Sequence, residues 1–267
     1  MTKFFFILSN LCLMSFIFCE NRVSISVVIP CDRAHLQFLP RLLSLLETQS
    51  HTPGEVVISV SNSNSNDDLL IAEIEENKFP FLLKIIRSSK RQFAGENRNI
   101  AIANSTGDLI ICQDADDLPH KQRIEIIKNL FEITNFDFLL HLYFLQDSEP
   151  VFNQYLEYYN TPFPQDHYEF LTIDQSIDFF NIHNTHPEFF TKFRSSQITD
   201  RLMGVHFGNC AFKRTVFDLI QYNHNPSGQD VNFYSQVVHT FNNILLINQP
   251  LVYYVRSRSS YYSGRGD

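Results

Sequence analysis

From Val23 onward, short continuous apolar runs alternate with stretches whose apolar residues recur every three or four positions. The run 25–29 predicts a strand, stopped by Pro30. Leu39, Leu42, Leu43 and Leu46 then fall at helical spacing, with Pro40 in the first turn. A loop over 51–54 leads to a second strand at 56–60, and Asp67 and Asp68 cap a helix carrying Leu70, Ile71 and Ile74. A third strand is predicted at 82–86, a helix over 97–104 with Gly107 as its left-handed cap, and a fourth strand at 109–112. Ile124, Ile127, Leu130 and Phe131 mark a helix that Pro119 starts, and 137–146 reads as a strand. Order resumes at 205–212, followed by a helix over 215–221, another opened by Gly228-Gln229-Asp230, and strands at 244–247 and 251–255. Short buried strands alternating with helices predict an α/β fold, with a mostly parallel sheet covered by helices on both faces. Ligands of such sheets sit at the carboxyl ends of the strands, where Pro30, Ser61 and Asp114 fall.

Two stretches depart from this alternation. Residues 148–201 are rich in Phe, Tyr, Asn and His and carry Pro150, Pro162, Pro164 and Pro187. They read either as a loop-rich excursion with its own aromatic cluster or as a lid over the site, since aromatic faces suit sugar rings. Residues 4–19 are almost wholly apolar behind Lys3, diluted by Ser9, Asn10 and Ser15. That is short for a membrane-spanning helix, which needs about 20 apolar residues, but suits a signal-peptide core. The expectation is entry into a secretory pathway, by a cleaved signal or a short anchor, with membrane association through the N-terminus. The alternative is an apolar helix packed on a cytoplasmic domain. The organisation is thus a leader over 1–22, a body over 23–258 and a tail over 259–267.

With 267 residues, 44% hydrophobic and 19% charged, the chain has ample material for a globular core. Its formal net charge of −8 and lack of any basic run argue against a nucleic-acid partner. Cys31, Cys112 and Cys210 lie in apolar contexts without zinc spacing and read as buried thiols.

The chemistry concentrates where the fourth strand ends, at Asp114-Ala115-Asp116-Asp117. Carboxylates this close repel, and a divalent cation relieves the repulsion. Oxygen-only ligands favour Mg²⁺ or Mn²⁺, and a cation held by few carboxylates keeps positions for water and phosphate. The pattern therefore suggests a metal–diphosphate site. A solvated turn or helix cap before Pro119 is the alternative.

Further pieces follow in order. Val27-Val28-Ile29-Pro30 opens the body, and Leu42, Ser44, Leu45 and Gln49 lie in the helix after it. Glu55-Val56-Val57, then Gly95, Arg98 and Asn99, then Gly107-Asp108 precede the acidic turn. Gly208, Phe212, Lys213, Arg214 and Phe217 precede Gly228-Gln229-Asp230. In this order the chain resembles the inverting glycosyltransferases of family two, which have the GT-A fold of nucleotide-diphospho-sugar transferases. The resemblance runs from about 27 to 257 and implies sugar transfer from a nucleoside-diphosphate-sugar to an acceptor hydroxyl, on a carbohydrate or a lipid-linked or protein-linked glycan. It implies that Asp116 and Asp117 hold Mn²⁺ or Mg²⁺, with Asp114 beside them, and that Asp230 is the general base. Pro30, Asp32, Ser61, Arg98, Asp114 and Gln229 are the implied substrate contacts. Caps remain alternatives for Asp117 and Asp230, and a salt bridge with Glu96, Asp108 or another carboxylate for Arg98. His206 could join the site, and Arg256 and Arg258 could close over phosphate.

Two departures fall at the nucleotide pocket. Val60-Ser61-Asn62 stands where the family carries an Asp pair, and Asp32-Arg33 where it carries Tyr-Asn. They leave the nucleobase open. A sugar- or nucleotide-binding protein without catalysis is one alternative. A nucleotidyltransferase on a related fold is another, although 31–35 lacks the Gly-rich loop and Lys that it would need.

Overall fold

Strands buried on both faces should send alternate side chains into two separate cores, and the central strands do so. In the computed structural model, which describes residues 23–146, 152–163, 170–172, 201–202 and 207–255, β1 (Ile25–Asp32) and β2 (Glu55–Ser61) lie inside the sheet, each paired on both sides. Val27, Ile29, Val56 and Ile58 enter one core, with the leucines of α1 (Leu39–Glu47), Ile71 and Ile74 of α2 (Asp68–Glu76), and Ile124 and Ile127 of α4 (Arg123–Thr134). Val28 and Val57 enter the other, against Ala101 and Ile102 of α3 (Ala94–Ala103). Val216 of α6 (Arg214–Leu219) and Phe233 and Val237 of α7 (Gln229–Thr240) complete that second core.

The remaining elements are β3 (Leu82–Arg87), β4 (Leu109–Cys112), β5 (Leu118–Pro119), β6 (Phe138–Gln146), α5 (Phe152–Asn160), β7 (Phe170–Thr172), β8 (Arg201–Leu202), β9 (Cys210–Lys213) and β10 (Ile244–Val255). The sheet runs β3-β2-β1-β4-β9-β6-β10-β5, with β7 on β10 and β8 on β6. β3, β2, β1 and β4 are parallel neighbours, as are β6 and β10. The short β9 joins the two groups antiparallel to both β4 and β6. The result is a mostly parallel α/β sheet with helices on both faces. The carboxyl ends of β1, β2 and β4 therefore open on one edge.

Five local expectations are corrected. Pro30 does not stop β1, which runs on to Asp32. Val28 accepts from the Gln113 N–H on the β4 side, and strand alternation turns Pro30 to that same side. There the β1–β4 pairing has ended at Cys112, so the missing N–H breaks no ladder. Gly107 is not a left-handed cap, since Gly228 is the positive-φ glycine among the described residues. Gly107 instead lets two backbones touch, because a Cβ there would lie 2.7 Å from the Ser26 backbone N. Pro119 belongs to β5, and the helix begins only at Arg123. The two late strands are one, β10, with register shifts between Ile247 and Pro250 and between Pro250 and Tyr253. Asp67 also acts differently from expected. It closes a capping box with Asn64 around a 3-10 turn and accepts from Arg33 Nε at 2.8 Å, while α2 starts without a side-chain cap.

Candidate active site

The acidic turn is held from beneath by a buried scaffold. Gln113 Nε2 donates to the carbonyls of Asp114 (2.9 Å) and Asp117 (3.2 Å). Gln113 Oε1 accepts from Arg123 Nη1 at 2.9 Å. Arg123 also donates from Nη2 to the carbonyls of Cys112 (2.7 Å) and Gly208 (2.8 Å), and from Nε to His141 Nε2 (3.1 Å). Burial pulls the Arg123 pKa down to about 10, which still leaves the guanidinium charged at neutral pH. The end of β4, strand β6 and the 3-10 turn before β9 are thereby tied to the first residue of α4.

The three carboxylates on this scaffold differ. Asp114 Oδ2 accepts from the Gly208 N–H at 3.2 Å. Asp116 is 7% exposed and lines a cavity of about 280 Å³ at the sheet edge. Asp117 is fully buried and turns inward, accepting from the Val255 N–H at 3.1 Å. Burial first, and then the charges of Asp116 and Asp114, push its carboxyl well above the usual carboxylate range. A divalent cation nearby would reverse that preference.

Opposite the acidic turn, Asn97 of α3 ties the ends of β1 and β2 together. Its Nδ2 donates to the Cys31 carbonyl at 3.2 Å and reaches Ser61 Oγ at 3.5 Å, while its Oδ1 accepts from Ser59 Oγ. Ser61 Oγ lies 3.5 Å from Asp32 Oδ2, and Asp32 Oδ1 accepts from the Ala34 N–H at 3.0 Å. Arg98, one residue on, is paired through Nη1 with Asp230 Oδ1. Its guanidinium carbon lies 4.7 Å from the ring centre of Phe207 and 5.5 Å from that of Tyr222. Burial works against its charge, but Asp230 and then Asp114 outweigh it and hold the Arg98 pKa above its ordinary value. The cap of α7 is Gly228, with no side-chain capping bond, so Asp230 sits in the first turn without being the cap.

Pro30, Asp32, Ser61, Arg98, Asp114, Asp116 and Gln229, all picked out from the sequence, line this one cavity. Asp117 and Asp230 do not. Asp117 lies behind the wall, and Asp230 is reached through Arg98, with its side chain 22% exposed. A second cavity shares Asp32 and is lined by Asn62 and the Arg33–Asp67 pair. His35, Arg91, Gln92, Phe93 and Tyr254 also line the first cavity without having been singled out in the sequence. Arg123 was missed as well. Its signal was a charged residue on the apolar stripe of its helix, four before Ile127 and seven before Leu130.

Among the described residues, no group of three or more His, Cys, Asp or Glu side chains is arranged to hold a metal by itself. The donor set on the cavity wall, Asp116 with Asp114, instead fits a hard cation shared between one or two carboxylates and a substrate diphosphate. No helix among the described residues is long and apolar enough to cross a membrane. The leader, the candidate lid over 148–201 (apart from 152–163, 170–172 and Arg201), His206, Arg256, Arg258 and the tail lie outside the described residues.

Comparison with known proteins adds a family and a fold. The family described as Glycosyl transferase family 2 matches residues 26–220. No curated protein matches the chain. Among solved structures, S. aureus TarS 1–349 in complex with UDP-GlcNAc is similar at 16% identity and TM-score 0.59, covering 87% of this chain and 58% of that one. The same protein in complex with UDP gives 16% identity and TM-score 0.60 over 90% and 63%. The mannosyltransferase PcManGT from Pyrobaculum calidifontis, in complex with GDP-Man and Mn²⁺, gives 14% identity and TM-score 0.54 over 86% and 57%. These likenesses are of fold, the GT-A fold, and this chain spans roughly three-fifths of the length of those structures.

Proposed function

The chain belongs to glycosyl transferase family 2, and we propose that it transfers a sugar from a nucleoside-diphosphate-sugar to an acceptor hydroxyl with inversion. The observation that carries this reading is convergence. Asp114 and Asp116 from the end of β4, Asp32 and Ser61 from the ends of β1 and β2, Arg98 from α3 and Gln229 from α7 meet around one cavity. Family likeness alone did not require this chain's own residues to meet there. The similar structures hold UDP-GlcNAc, UDP and GDP-Man with Mn²⁺, which supports a nucleotide-sugar donor.

Asp116, aided by Asp114, would hold Mn²⁺ or Mg²⁺ together with the donor diphosphate, Asp117 supporting them from behind. The cation supplies positive charge where the leaving diphosphate gains negative charge. Arg98 contributes a second, permanent positive charge on the same wall. Asp32 and Ser61 offer an acceptor and a hydroxyl to the nucleoside, and Gln229 an amide to the sugar. Asp230 takes the proton of the acceptor hydroxyl as its oxygen bonds to the anomeric carbon and the bond from that carbon to the diphosphate breaks. Attack opposite the leaving group inverts the configuration. The acceptor is a carbohydrate or a lipid-linked or protein-linked glycan, and residues 4–19 bring the body to a secretory membrane.

One observation favours a second reading, binding without transfer. Asp230 is paired with Arg98 and stands outside the cavity lining. The test is donor binding and transfer on one preparation. Asp230→Asn should keep donor binding while transfer falls about 10²-fold or more. Near-normal transfer by this variant rejects Asp230 as the base. A wild-type chain that binds donor yet transfers to no carbohydrate acceptor supports the second reading.

A further inference from the structure

Arg98 both lines the cavity and forms an ion pair with Asp230. It is 7% exposed, clamped against Phe207 and Tyr222, and its Nε is buried without a hydrogen-bond partner. A guanidinium has five donors in a planar fork. A buried donor left unbonded points to an unused interaction, since buried polar groups are normally satisfied. This donor stays unsatisfied while Arg98 holds Asp230, so a guanidinium that turns from Asp230 toward an anion in the cavity gives up one bond and can gain another.

We infer that Asp230 and the diphosphate of a bound nucleotide compete for Arg98, so that Arg98 is a positioning residue that holds Asp230 while the cavity is empty and loosens its hold when the cavity is filled. This rests on the nucleotide-sugar reading above and adds to it a coupling between donor loading and the base. Asp114, whose charge Arg98 also feels, and Asp116 share the cavity wall. They repel a diphosphate unless a cation neutralises them, so the competition is visible with metal present. Linkage makes the coupling reciprocal. If diphosphate draws Arg98 from Asp230, then removing the charge of Asp230 must strengthen diphosphate binding. Order follows from the same exchange: the carboxylate is released to accept a proton only once the donor is in place.

The sign of one affinity change tests this. UDP, GDP, CDP, ADP and TDP are titrated calorimetrically into the full chain with Mn²⁺, first wild type and then Asp230→Asn. The variant should bind whichever diphosphate the wild type binds on the order of 3- to 10-fold more tightly at low salt, the effect of one charge several ångströms away. The gain should shrink as salt is raised. Asp230→Ser, also uncharged, should repeat it if the Asn variant folds poorly. In an Arg98→Gln background the Asp230→Asn gain should vanish, as a double-mutant cycle requires. Unchanged or weaker binding by folded Asp230 variants overturns the coupling, because a carboxylate that merely ordered Arg98 would give that result. A gain that persists without Arg98 overturns it too. Absence of binding by the wild type for every diphosphate would instead remove the nucleotide-sugar reading beneath it, and the coupling with it.

Discussion

Replacing Gly95 by alanine would put a methyl group where the loop between α6 and α7 already runs. A Cβ at Gly95 would lie 2.1 Å from the Asn223 carbonyl oxygen and 3.1 Å from Gln229 Cγ. A comfortable contact is about 3.5 Å, so the two backbones must part by more than about 1 Å. They cannot part freely. Asn99, one turn along α3, clasps the same loop through both amide atoms, donating to the Tyr222 carbonyl (2.8 Å) and accepting from the Tyr222 N–H (3.0 Å). Tyr222 in turn stacks on Phe233 of α7 at 4.1 Å. Overpacking of this kind costs about 1–3 kcal/mol, and exchanging glycine for alanine in a helix returns about 0.5–1 kcal/mol. The net expectation is a loss of about 1–2 kcal/mol, or roughly 2–8 °C in melting temperature for a chain of this size. The displacement also separates α3 from α7, which carry Arg98 and Asp230, so nucleoside-diphosphate affinity should fall in parallel. Gly54→Ala is the control, since a Cβ there meets nothing closer than 3.4 Å. Melting and calorimetric titration of both variants decide it. A Gly95→Ala chain as stable as Gly54→Ala would refute the close approach of helix and loop.

Other outcomes follow from single residues. Arg123→Lys keeps a charge but cannot reach the four acceptors that Arg123 bridges. Urea denaturation should show a loss of about 3 kcal/mol or more from the orphaned buried acceptors, and a loss under about 1 kcal/mol would mean that the scaffold beneath the acidic turn is dispensable. Buried His120 is held down to about 4 from its ordinary 6.5, chiefly by burial. Its Nδ1 accepts from the Gln122 N–H while its Nε2 meets the Thr161 carbonyl, so a second proton has no place. A lowered histidine pKa means that the unfolded chain takes up a proton which the native chain refuses. Stability should therefore fall by roughly 1–3 kcal/mol as pH drops from about 6.5 towards 4, and His120→Gln should flatten that slope in pH-dependent denaturation. Finally, fractionation of cells expressing the full chain or a version starting at Asn21 should find only the full chain with membranes. Equal solubility of both would reject the targeting role of residues 4–19.

The central sheet was legible because period and burial agree. Val27 and Val28, or Val57 and Ile58, must face opposite ways in a strand, and two helical layers were there to receive them. Pro30, Gly107 and Pro119 misled for one shared reason. Their local preferences are weak beside tertiary context, namely the ended β4 ladder, the touching Ser26 backbone and the pairing of β5 with β10. Site residues at strand ends were legible through the rule that ligands gather at carboxyl edges, and Asp32, Ser61, Asp114 and Asp116 do share a cavity. What Asp117 does was not legible, since nothing local says which of two adjacent carboxylates in a turn goes inward. The choice between them lies with Val255, which is 138 residues away. The Arg98–Asp230 pair spans 132 residues. No local pattern records such a partnership, although both residues stood out separately.

The account stands or falls on a nucleoside diphosphate held through a cation at Asp116. Calorimetric titration of the five common nucleoside diphosphates into the chain, with Mn²⁺ and then with EDTA, measures this directly. At least one should bind, its affinity should fall about tenfold or more when the metal is removed, and Asp116→Asn should abolish most of that difference at an unchanged melting temperature. Equal affinity with and without metal for every binder, or binding of none, would contradict the account.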